Sequence, residues 1–245
     1  MNILQLTDLH LFAARDGRLL GRDTYAALQK VLAAVRALGP DAVDAVFLTG
    51  DVSQDESAAS YRLAAEALAG LGRPVYWIAG NHDCRSTMAE VFAGYPLLRP
   101  LDEVKLAGWT FIGVDSCVAG LDEGLIGADE LARLREQLAA VDDGHAAVVL
   151  HHHPLAVGTP LLDDCMLRQS SQFWQAARAE RLKLVICGHV HGAHSIDYRG
   201  RMLEVGPATC FQWQAGASDI DIDDRQGYRL FSFSADGYRV ATSLA

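Results

Sequence analysis

The sequence predicts an α/β protein in which two β-sheets carry helices on their outer sides. Short apolar runs typical of buried strands alternate with segments of helical periodicity, and polar turns separate them. Toward the C-terminus, closely spaced strand-like runs are joined by turn signals, which predicts mainly antiparallel β structure there. Half of the 245 residues are hydrophobic and no linker-like stretch divides the chain, so we expect residues 1–245 to form one domain.

Five segments have the apolar spacing of helices that pack one face on a core. In the first, Leu28, Leu32 and Val35 recur at helical spacing, with Thr24 at the capping position and Gly39-Pro40 at the end. The predicted helices are Tyr25–Leu38, Glu56–Leu71, Thr87–Ala93, Asp129–Val141 and Gln169–Arg181.

Strands are predicted at near-continuous apolar runs, which in a buried strand typically extend over four to six residues. Five of these runs lie in the segments 3–6, 45–49, 75–79, 148–150 and 184–187. The other predicted strands are Trp109–Val114, Ile196–Tyr198, Met202–Val205, Ile220–Ile222, Tyr228–Phe233 and Tyr238–Thr242. Ala235-Asp236-Gly237 is a hairpin signal between the last two.

Each of the five apolar runs given first ends on polar residues that could bind a metal. The clusters are Asp8-Leu9-His10, Gly50-Asp51, Gly80-Asn81-His82-Asp83, His151-His152-His153-Pro154 and Gly188-His189-Val190-His191. In layered α/β proteins such groups gather at the carboxyl ends of the strands, so we expect all five to meet. They offer oxygen and imidazole donors without a thiolate, a set that suits a pair of divalent ions such as manganese, iron or zinc.

Each cluster also has an ordinary structural interpretation as a turn, a cap or a hydrogen-bonded loop. Asp8 and His10, and likewise His189 and His191, are two residues apart, which would place each pair on one face of an extended segment. Gly50 lacks the Cβ that would hinder a bulky partner. The shared position at strand ends makes five independent coincidences improbable, and the chain is interpreted as a dinuclear metal hydrolase.

Composition excludes several other classes of protein. The formal net charge of −10 offers no basic stripe for nucleic acid, so no nucleic-acid polymer is expected as a partner. Five scattered cysteines without CxxC spacing argue against a disulfide framework. The first strand begins at Asn2, which leaves no room for a signal peptide, and no apolar stretch approaches the ~18 residues of a membrane span. We therefore expect a cytoplasmic protein without membrane contact.

The ordered set Asp-x-His, Gly-Asp, Gly-Asn-His, His-x-Pro and Gly-His-x-His, between Asp8 and His191, resembles the signature of the calcineurin-like metallophosphoesterases. Additional segments resemble the bacterial class III cyclic-AMP phosphodiesterases over nearly the whole chain: Leu20-Gly21, 50–55, 151–155, Leu167-Arg168 and 207–210. The resemblance implies a four-layer αββα sandwich that hydrolyses 3′,5′-cyclic AMP to AMP in the cytoplasm. It also implies a dinuclear centre of iron and manganese, with zinc, cobalt and magnesium as alternatives.

The resemblance also implies roles for individual residues. The first metal would be held by Asp8, His10 and His191, and the second by Asn81, His152 and His189, with Asp51 bridging both. His152 is chosen among the three consecutive histidines because the family ligand stands two positions before the proline. A hydroxide shared by the two ions would attack phosphorus, and His82 would contact the phosphate and donate a proton or hydrogen bond to the departing ribose oxygen. The substrate-binding residues would be His10, Asp51, Asn81, His82 and His191.

One departure leaves a role unassigned. In the related protein phosphatases an Asp three residues after the bridging Asp orients the catalytic histidine, whereas Gln54 holds that position here. Asp55 or Asp83 could substitute, or no carboxylate takes part. Candidates for base and ribose contacts are Leu20, Gly21, Tyr25, Tyr61, Arg168 and the segment Cys210-Phe211-Gln212-Trp213, and each of the aromatic residues could equally belong to the core.

Two other functions remain open from the sequence. A broader phosphodiesterase acting on glycerophosphodiesters would share every metal ligand. A scaffold or regulatory subunit that keeps the fold without turnover would not need His82. The chain is expected to be a monomer or a homodimer.

Overall fold

The computed structural model describes all 245 residues. Its strands are β1 (Asn2–Leu6), β2 (Arg18–Leu19), β3 (Arg22–Asp23), β4 (Ala45–Thr49), β5 (Val75–Ile78), β6 (Leu98–Pro100), β7 (Glu103–Leu106), β8 (Trp109–Gly113), β9 (His145–Val149), β10 (Leu182–Cys187), β11 (His194–Tyr198), β12 (Arg201–Val205), β13 (Gln212–Trp213), β14 (Ile222–Asp223), β15 (Gly227–Ser234) and β16 (Gly237–Leu244). Its helices are α1 (Thr24–Ala37), α2 (Ala58–Ala69), α3 (Arg85–Phe92), α4 (Ala128–Ala139), α5 (Pro160–Asp163) and α6 (Ser170–Ala176).

Two six-stranded sheets form the centre of the molecule. The first has the order β16-β15-β1-β4-β5-β6 and the second the order β11-β12-β10-β9-β8-β7. Strands β1, β4, β5 and β6 pair in parallel in the first sheet, and β8, β9, β10 and β12 do so in the second. The remaining strands pair antiparallel, so both sheets are mixed.

Three hydrophobic cores separate four layers, which confirms the predicted αββα sandwich. Alternation along β4 shows how one strand serves two cores: Val46 and Leu48 face the helices α1, α2 and α3, whereas Phe47 faces the second sheet. The middle core lies between the sheets and contains aromatic residues such as Phe111 and Phe231. The third core lies between the second sheet and the helices α4 and α6.

Most predicted elements are present with shifts of one to three residues at their ends, and three predictions were wrong in detail. Asp23, not Thr24, caps α1, because the Asp23 side chain accepts a hydrogen bond from the amide of Ala26. Helix α6 ends at Ala176 and not at Arg181, since the chain turns there toward β10. The predicted strand Ile220–Ile222 is reduced to the two residues of β14, and Ile220 is 60% exposed.

The C-terminal region is antiparallel as expected, with one exception. Strands β15 and β16 form the hairpin that Ala235-Asp236-Gly237 predicts, in register from Gly227 opposite Leu244 to Ser234 opposite Gly237. Strand β12, in contrast, pairs antiparallel with β11 but in parallel with β10. No pattern in the sequence predicted the short strands β2, β3, β6, β7 and β13 or the helix α5. None of the helices combines the length and apolar character needed to cross a lipid bilayer.

Candidate metal centre

The five polar clusters meet where the carboxyl ends of the parallel strands of both sheets face each other. The first sheet supplies the loops after β1, β4 and β5, and the second sheet supplies those after β9 and β10. Backbone hydrogen bonds join neighbouring loops, for example from the amide of His10 to the carbonyl oxygen of Asp51 at 2.9 Å and from the amide of Gly188 to that of His151 at 3.1 Å. The predicted convergence of these loops is therefore present.

Most of the candidate ligands adopt a backbone conformation that L-residues rarely use. Nine non-glycine residues have positive φ, and five of them are predicted ligands: Asp8, His10, Asp51, His189 and His191. The strand-face argument for Asp8 and His10, and for His189 and His191, was thus wrong in its mechanism, because these residues follow the strands and are not part of them. Left-handed turns direct each pair into the site, and strained backbone of this kind concentrates at functional sites.

Two glycines make room for the cluster. A Cβ on Gly80 would lie 2.1 Å from Oδ1 of Asp51, and one on Gly50, which has a φ of +95°, would lie 2.5 Å from Nδ1 of His151. Both positions therefore require glycine, as the sequence indicated for Gly50.

A first group of ligand atoms lies near Oδ2 of Asp51. Nε2 of His10 lies 3.0 Å from Nε2 of His191 and 3.6 Å from Oδ2 of Asp51. Oδ1 of Asp8 lies 3.6 Å from Nε2 of His191. All four side chains are buried.

A second group approaches the same carboxylate oxygen of Asp51. Nε2 of His151 lies 3.3 Å from Oδ2 of Asp51 and 3.1 Å from Oδ1 of Asn81. Nδ1 of His189 also lies 3.1 Å from Oδ1 of Asn81. The two groups thus share Asp51 and no other side chain.

His151, and not His152, makes the close contacts to Asp51 and Asn81. Both ring nitrogens of His152 have neutral partners, since Nδ1 lies 2.8 Å from Oγ of Ser116 and Nε2 lies 3.2 Å from the carbonyl oxygen of Asp122. The sequence prediction counted back from Pro154, whereas the orientation of each ring depends on where β9 ends. His152 nevertheless remains close to the site, with its ring centroid 4.6 Å from that of His189.

Hydrogen bonds behind the rings fix which nitrogen faces the centre. Nδ1 of His151 donates to the carbonyl oxygen of Thr49 at 2.8 Å, and Nδ1 of His191 donates to that of Phe211 at 3.0 Å. A carbonyl can only accept, so both Nδ1 atoms carry a proton, and Nε2 is the nitrogen of each ring that faces the site. Metal-binding histidines are commonly oriented in this way.

Burial and mutual charge shift the pKa values of these groups in opposite directions. Burial raises the pKa of Asp8 to about 7 and lowers the pKa of His10 to about 4. Burial would also lower the pKa of His151, but the carboxylates of Asp51 and Asp8 outweigh it and raise that pKa to about 9. Burial disfavours the charged form of Asp51, yet His151 and His10 hold its pKa well below its usual range. A cation that binds here would displace protons from this network.

The donor set fits divalent metal ions. The ligand atoms of Asp8, Asp51 and His151 lie within 4.8 Å of one another, as do those of His151, His152 and His189. Nε2 of His189 is buried without a hydrogen-bond partner. Imidazole nitrogens and carboxylate oxygens that face each other without a hydrogen-bond donor between them can be satisfied by a bound cation. Nitrogen and oxygen ligands suit zinc, iron and manganese.

His82 lies at the opening of this centre. Its ring centroid is 4.9 Å from that of His10, and its backbone amide donates to Oδ1 of Asp51 at 2.9 Å. Neither candidate carboxylate touches its ring. Asp83 accepts hydrogen bonds from the amides of Val52, Ser53 and Gly80, and Asp55 accepts from those of Ala13 and Ser57. The ring instead contacts Gln54, whose Nε2 lies 3.3 Å from Nδ1 of His82.

A cleft of about 280 Å³ opens from His82 and the ligands. Of the residues proposed for base contacts, Leu20, Phe211 and Trp213 line it. Tyr61 does not: it is fully buried, and its hydroxyl accepts from the amide of Cys84 at 2.8 Å. Arg168 pairs with Glu123.

Sequence reasoning missed several residues of this cleft. They are Leu19, Gln54, Asp122, Leu161, Leu162 and Cys165. Leu161 and Leu162 lie on α5, a helix of four residues that is too short for a periodic signal.

An αββα sandwich with Asp, Asn and His gathered at its parallel strand ends is the arrangement of a metal-dependent phosphoesterase. The calcineurin-like phosphoesterase family model matches residues 1–193, and the chain belongs to that family. The predicted family and the predicted class of enzyme are therefore confirmed.

Curated relatives match over almost the whole chain. A protein of Vibrio vulnificus named "3′,5′-cyclic adenosine monophosphate phosphodiesterase CpdA" is 35% identical over 240 residues, which cover 97% of this chain and 87% of that protein. A Pseudomonas aeruginosa protein of the same name is 34% identical over 245 residues, which cover 99% of this chain and 89% of its own length.

Among solved structures, a dimetal phosphatase from Danio rerio superposes with a TM-score of 0.71. The alignment covers 98% of each chain at 12% sequence identity, so it concerns the fold alone.

Proposed function

We propose that the protein hydrolyses 3′,5′-cyclic AMP to AMP with two divalent metal ions at the centre around Asp51. The observation that carries the proposal is the pair of ligand groups sharing that single carboxylate, in a chain that matches proteins named cyclic-AMP phosphodiesterases over nearly its full length.

The first ion would be held by Asp8, His10 and His191, and the second by Asn81, His151 and His189. His151 replaces the predicted His152 because only its Nε2 faces Asp51 and Asn81. Asp51 would bridge the two ions, since His10 approaches its carboxylate at 3.6 Å and His151 at 3.3 Å. Two ions bound in this way polarise a phosphoryl group and lower the pKa of water so that a nucleophile exists at neutral pH.

The protein's own side chains would orient the diester. His82 lies at the mouth of the centre, where it would hydrogen-bond the phosphate and the departing ribose oxygen. His10, Asp51, Asn81 and His191 line the same cleft and would surround the phosphate. The hydrogen bond from the backbone amide of His82 to Asp51 holds this histidine next to the metal ligands.

The remaining wall of the cleft suits a nucleoside. Leu20, Phe211 and Trp213 give it an apolar surface with two aromatic rings, on which a purine could stack. The ring of Trp213 lies 5.7 Å from that of His191, so a base held there would be next to the phosphate site.

A substrate panel at matched metal loading tests the proposal. We expect kcat/KM to be highest for cyclic AMP when the enzyme is assayed beside cyclic GMP, a glycerophosphodiester and AMP. A glycerophosphodiester that is hydrolysed with a clearly higher kcat/KM would replace the proposal with a broader diesterase. Turnover of no diester by metal-loaded protein would favour a scaffold.

A further inference from the structure

Gln54 lies between two histidine rings of the site and contacts both with the two ends of its amide. Its Oε1 is 2.7 Å from Nδ1 of His10, and its Nε2 is 3.3 Å from Nδ1 of His82. The rings of His10 and His82 stand edge to face, so the amide spans their outer edges. Gln54 thus links a proposed metal ligand to the proposed catalytic histidine.

The chemistry of the groups fixes the direction of each hydrogen bond. Nε2 of His10 faces Asp51 and His191, and a metal ligated by this nitrogen requires the neutral ring with its proton on Nδ1. That N–H donates to the oxygen end of the Gln54 amide. The NH₂ end of the same amide must then face His82 and donate to its Nδ1.

We infer that Gln54 is a positioning residue that donates to Nδ1 of His82 and so turns the Nε2–H of this ring toward the cleft. In that orientation His82 acts as a hydrogen-bond donor to a group bound in the cleft. The inference rests on the proposed ligation of His10.

A carboxylate at this position would act differently. It can only accept, so it would require N–H groups on both rings and place a proton on Nδ1 of His82. With Gln54, the Nε2–H of His82 stabilises charge on the phosphate or the departing oxygen by hydrogen bonding. The departing ribose oxygen then takes its proton from water.

The other carboxylates near His82 do not compete for this role. Asp83 accepts from three backbone amides, and Asp55 is occupied by the amides of Ala13 and Ser57. Gln54 is therefore the only side chain hydrogen-bonded to the His82 ring.

Nitrogen NMR on full-length, ¹⁵N-histidine-labelled protein loaded with diamagnetic zinc tests the inference directly. We expect Nε2 of His82 to be protonated and its Nδ1 to be a bare acceptor, with the signals assigned from His82→Ala. In Gln54→Glu, which keeps the shape of the side chain, the proton should appear on Nδ1 of His82. Gln175→Glu, which adds the same charge on the exposed face of α6, should leave the wild-type pattern unchanged.

The spectra distinguish a failure of the metal assignment from a failure of the role inferred for Gln54. Zinc that fails to shift Nε2 of His10 would contradict the metal assignment itself. A metallated His10 beside a His82 that carries its proton on Nδ1 in the wild type would overturn only the role of Gln54, and so would an unchanged tautomer in Gln54→Glu.

Activity gives a second readout. Gln54→Met removes the amide at similar length, and we expect kcat for cyclic AMP to fall about 10- to 100-fold with both metals retained, the usual size for losing an orienting partner. KM should change less than kcat. Unchanged kcat in Gln54→Met would contradict the inference.

Discussion

Two polar clusters are buried between the sheets, and they differ in how their charges are satisfied. In the first, Glu204 on β12 pairs with Arg229 on β15, and both side chains are about 3% exposed. Glu204 also accepts from the hydroxyls of Ser195 and Tyr238, the latter at 2.9 Å. The second cluster is the metal centre, where two carboxylates and several imidazoles meet without any lysine or arginine.

The difference shows which cluster needs an external cation. Donors face acceptors around Glu204, so the ion pair is balanced within the protein. At the centre, the Nε2 atoms of His10 and His191 approach to 3.0 Å although the Nδ1 atoms of both rings donate elsewhere. Two lone pairs at this distance repel each other, and a bound cation relieves the repulsion.

The largest expected effect comes from Asp51→Asn. Because both ligand groups share this carboxylate, we expect both metals to be lost and activity to fall by more than the ~10² to 10⁴-fold typical of losing one catalytic group. Elemental analysis and the cyclic-AMP assay measure the two effects. Asp55→Asn is the matched control and should keep both metals; two tightly held metals in Asp51→Asn would refute the shared-ligand assignment.

His82→Ala should separate chemistry from metal binding. The ring lies at the mouth of the cleft and belongs to neither ligand group, so we expect full metal content with kcat reduced by ~10² to 10⁴-fold. The loss should be smaller for a diester with a much better leaving group. An unchanged kcat on cyclic AMP would exclude His82 from the mechanism.

The neighbouring histidines 151 and 152 offer a sharper comparison. His151→Ala should leave one metal per chain, because Nε2 of His151 faces Asp51 and Asn81. His152→Ala should keep two metals and lose about 10- to 100-fold in activity, as expected for a group behind the ligands. The opposite result, with the metal lost in His152→Ala alone, would restore the assignment made from the sequence.

The smallest expected effect on activity comes from the other cluster. Arg229→Met leaves Glu204 buried without its partner and should lower the free energy of unfolding by about 3 to 5 kcal/mol. Metal content and kcat of the folded protein should be unchanged. Arg225→Met removes a guanidinium from the exposed pair with Asp223 and should leave the free energy of unfolding nearly unchanged when both variants are measured by denaturant titration. A loss of metal in Arg229→Met would show that the two clusters are coupled.

The sequence alone predicted those parts of the fold and of the site that depend on local residue patterns. Apolar runs such as Val46–Leu48 identify buried strands, and parallel strands bring their carboxyl ends together, so the positions of Asp8, Asp51 and His189 could be predicted without coordinates. The pattern also predicted two sheets with helices outside them, and the family resemblance then supplied the four-layer αββα order.

The parts of the site that the sequence did not predict depend on contacts between residues far apart in the chain. Whether His151 or His152 faces the centre depends on the last residue of β9 and on the partners Thr49, Ser116 and Asp122. The contact of Gln54 with His82 joins residues 28 positions apart, and no periodicity encodes it. The part of the cleft wall that α5 forms was not predicted, because a helix of one turn leaves no periodic pattern in the sequence.

Anomalous diffraction from crystals of the metal-loaded protein tests the central claim most directly. We expect two peaks per chain that both adjoin Asp51, one beside Asp8, His10 and His191 and the other beside Asn81, His151 and His189. A single peak, or two peaks that do not both contact Asp51, would contradict the account.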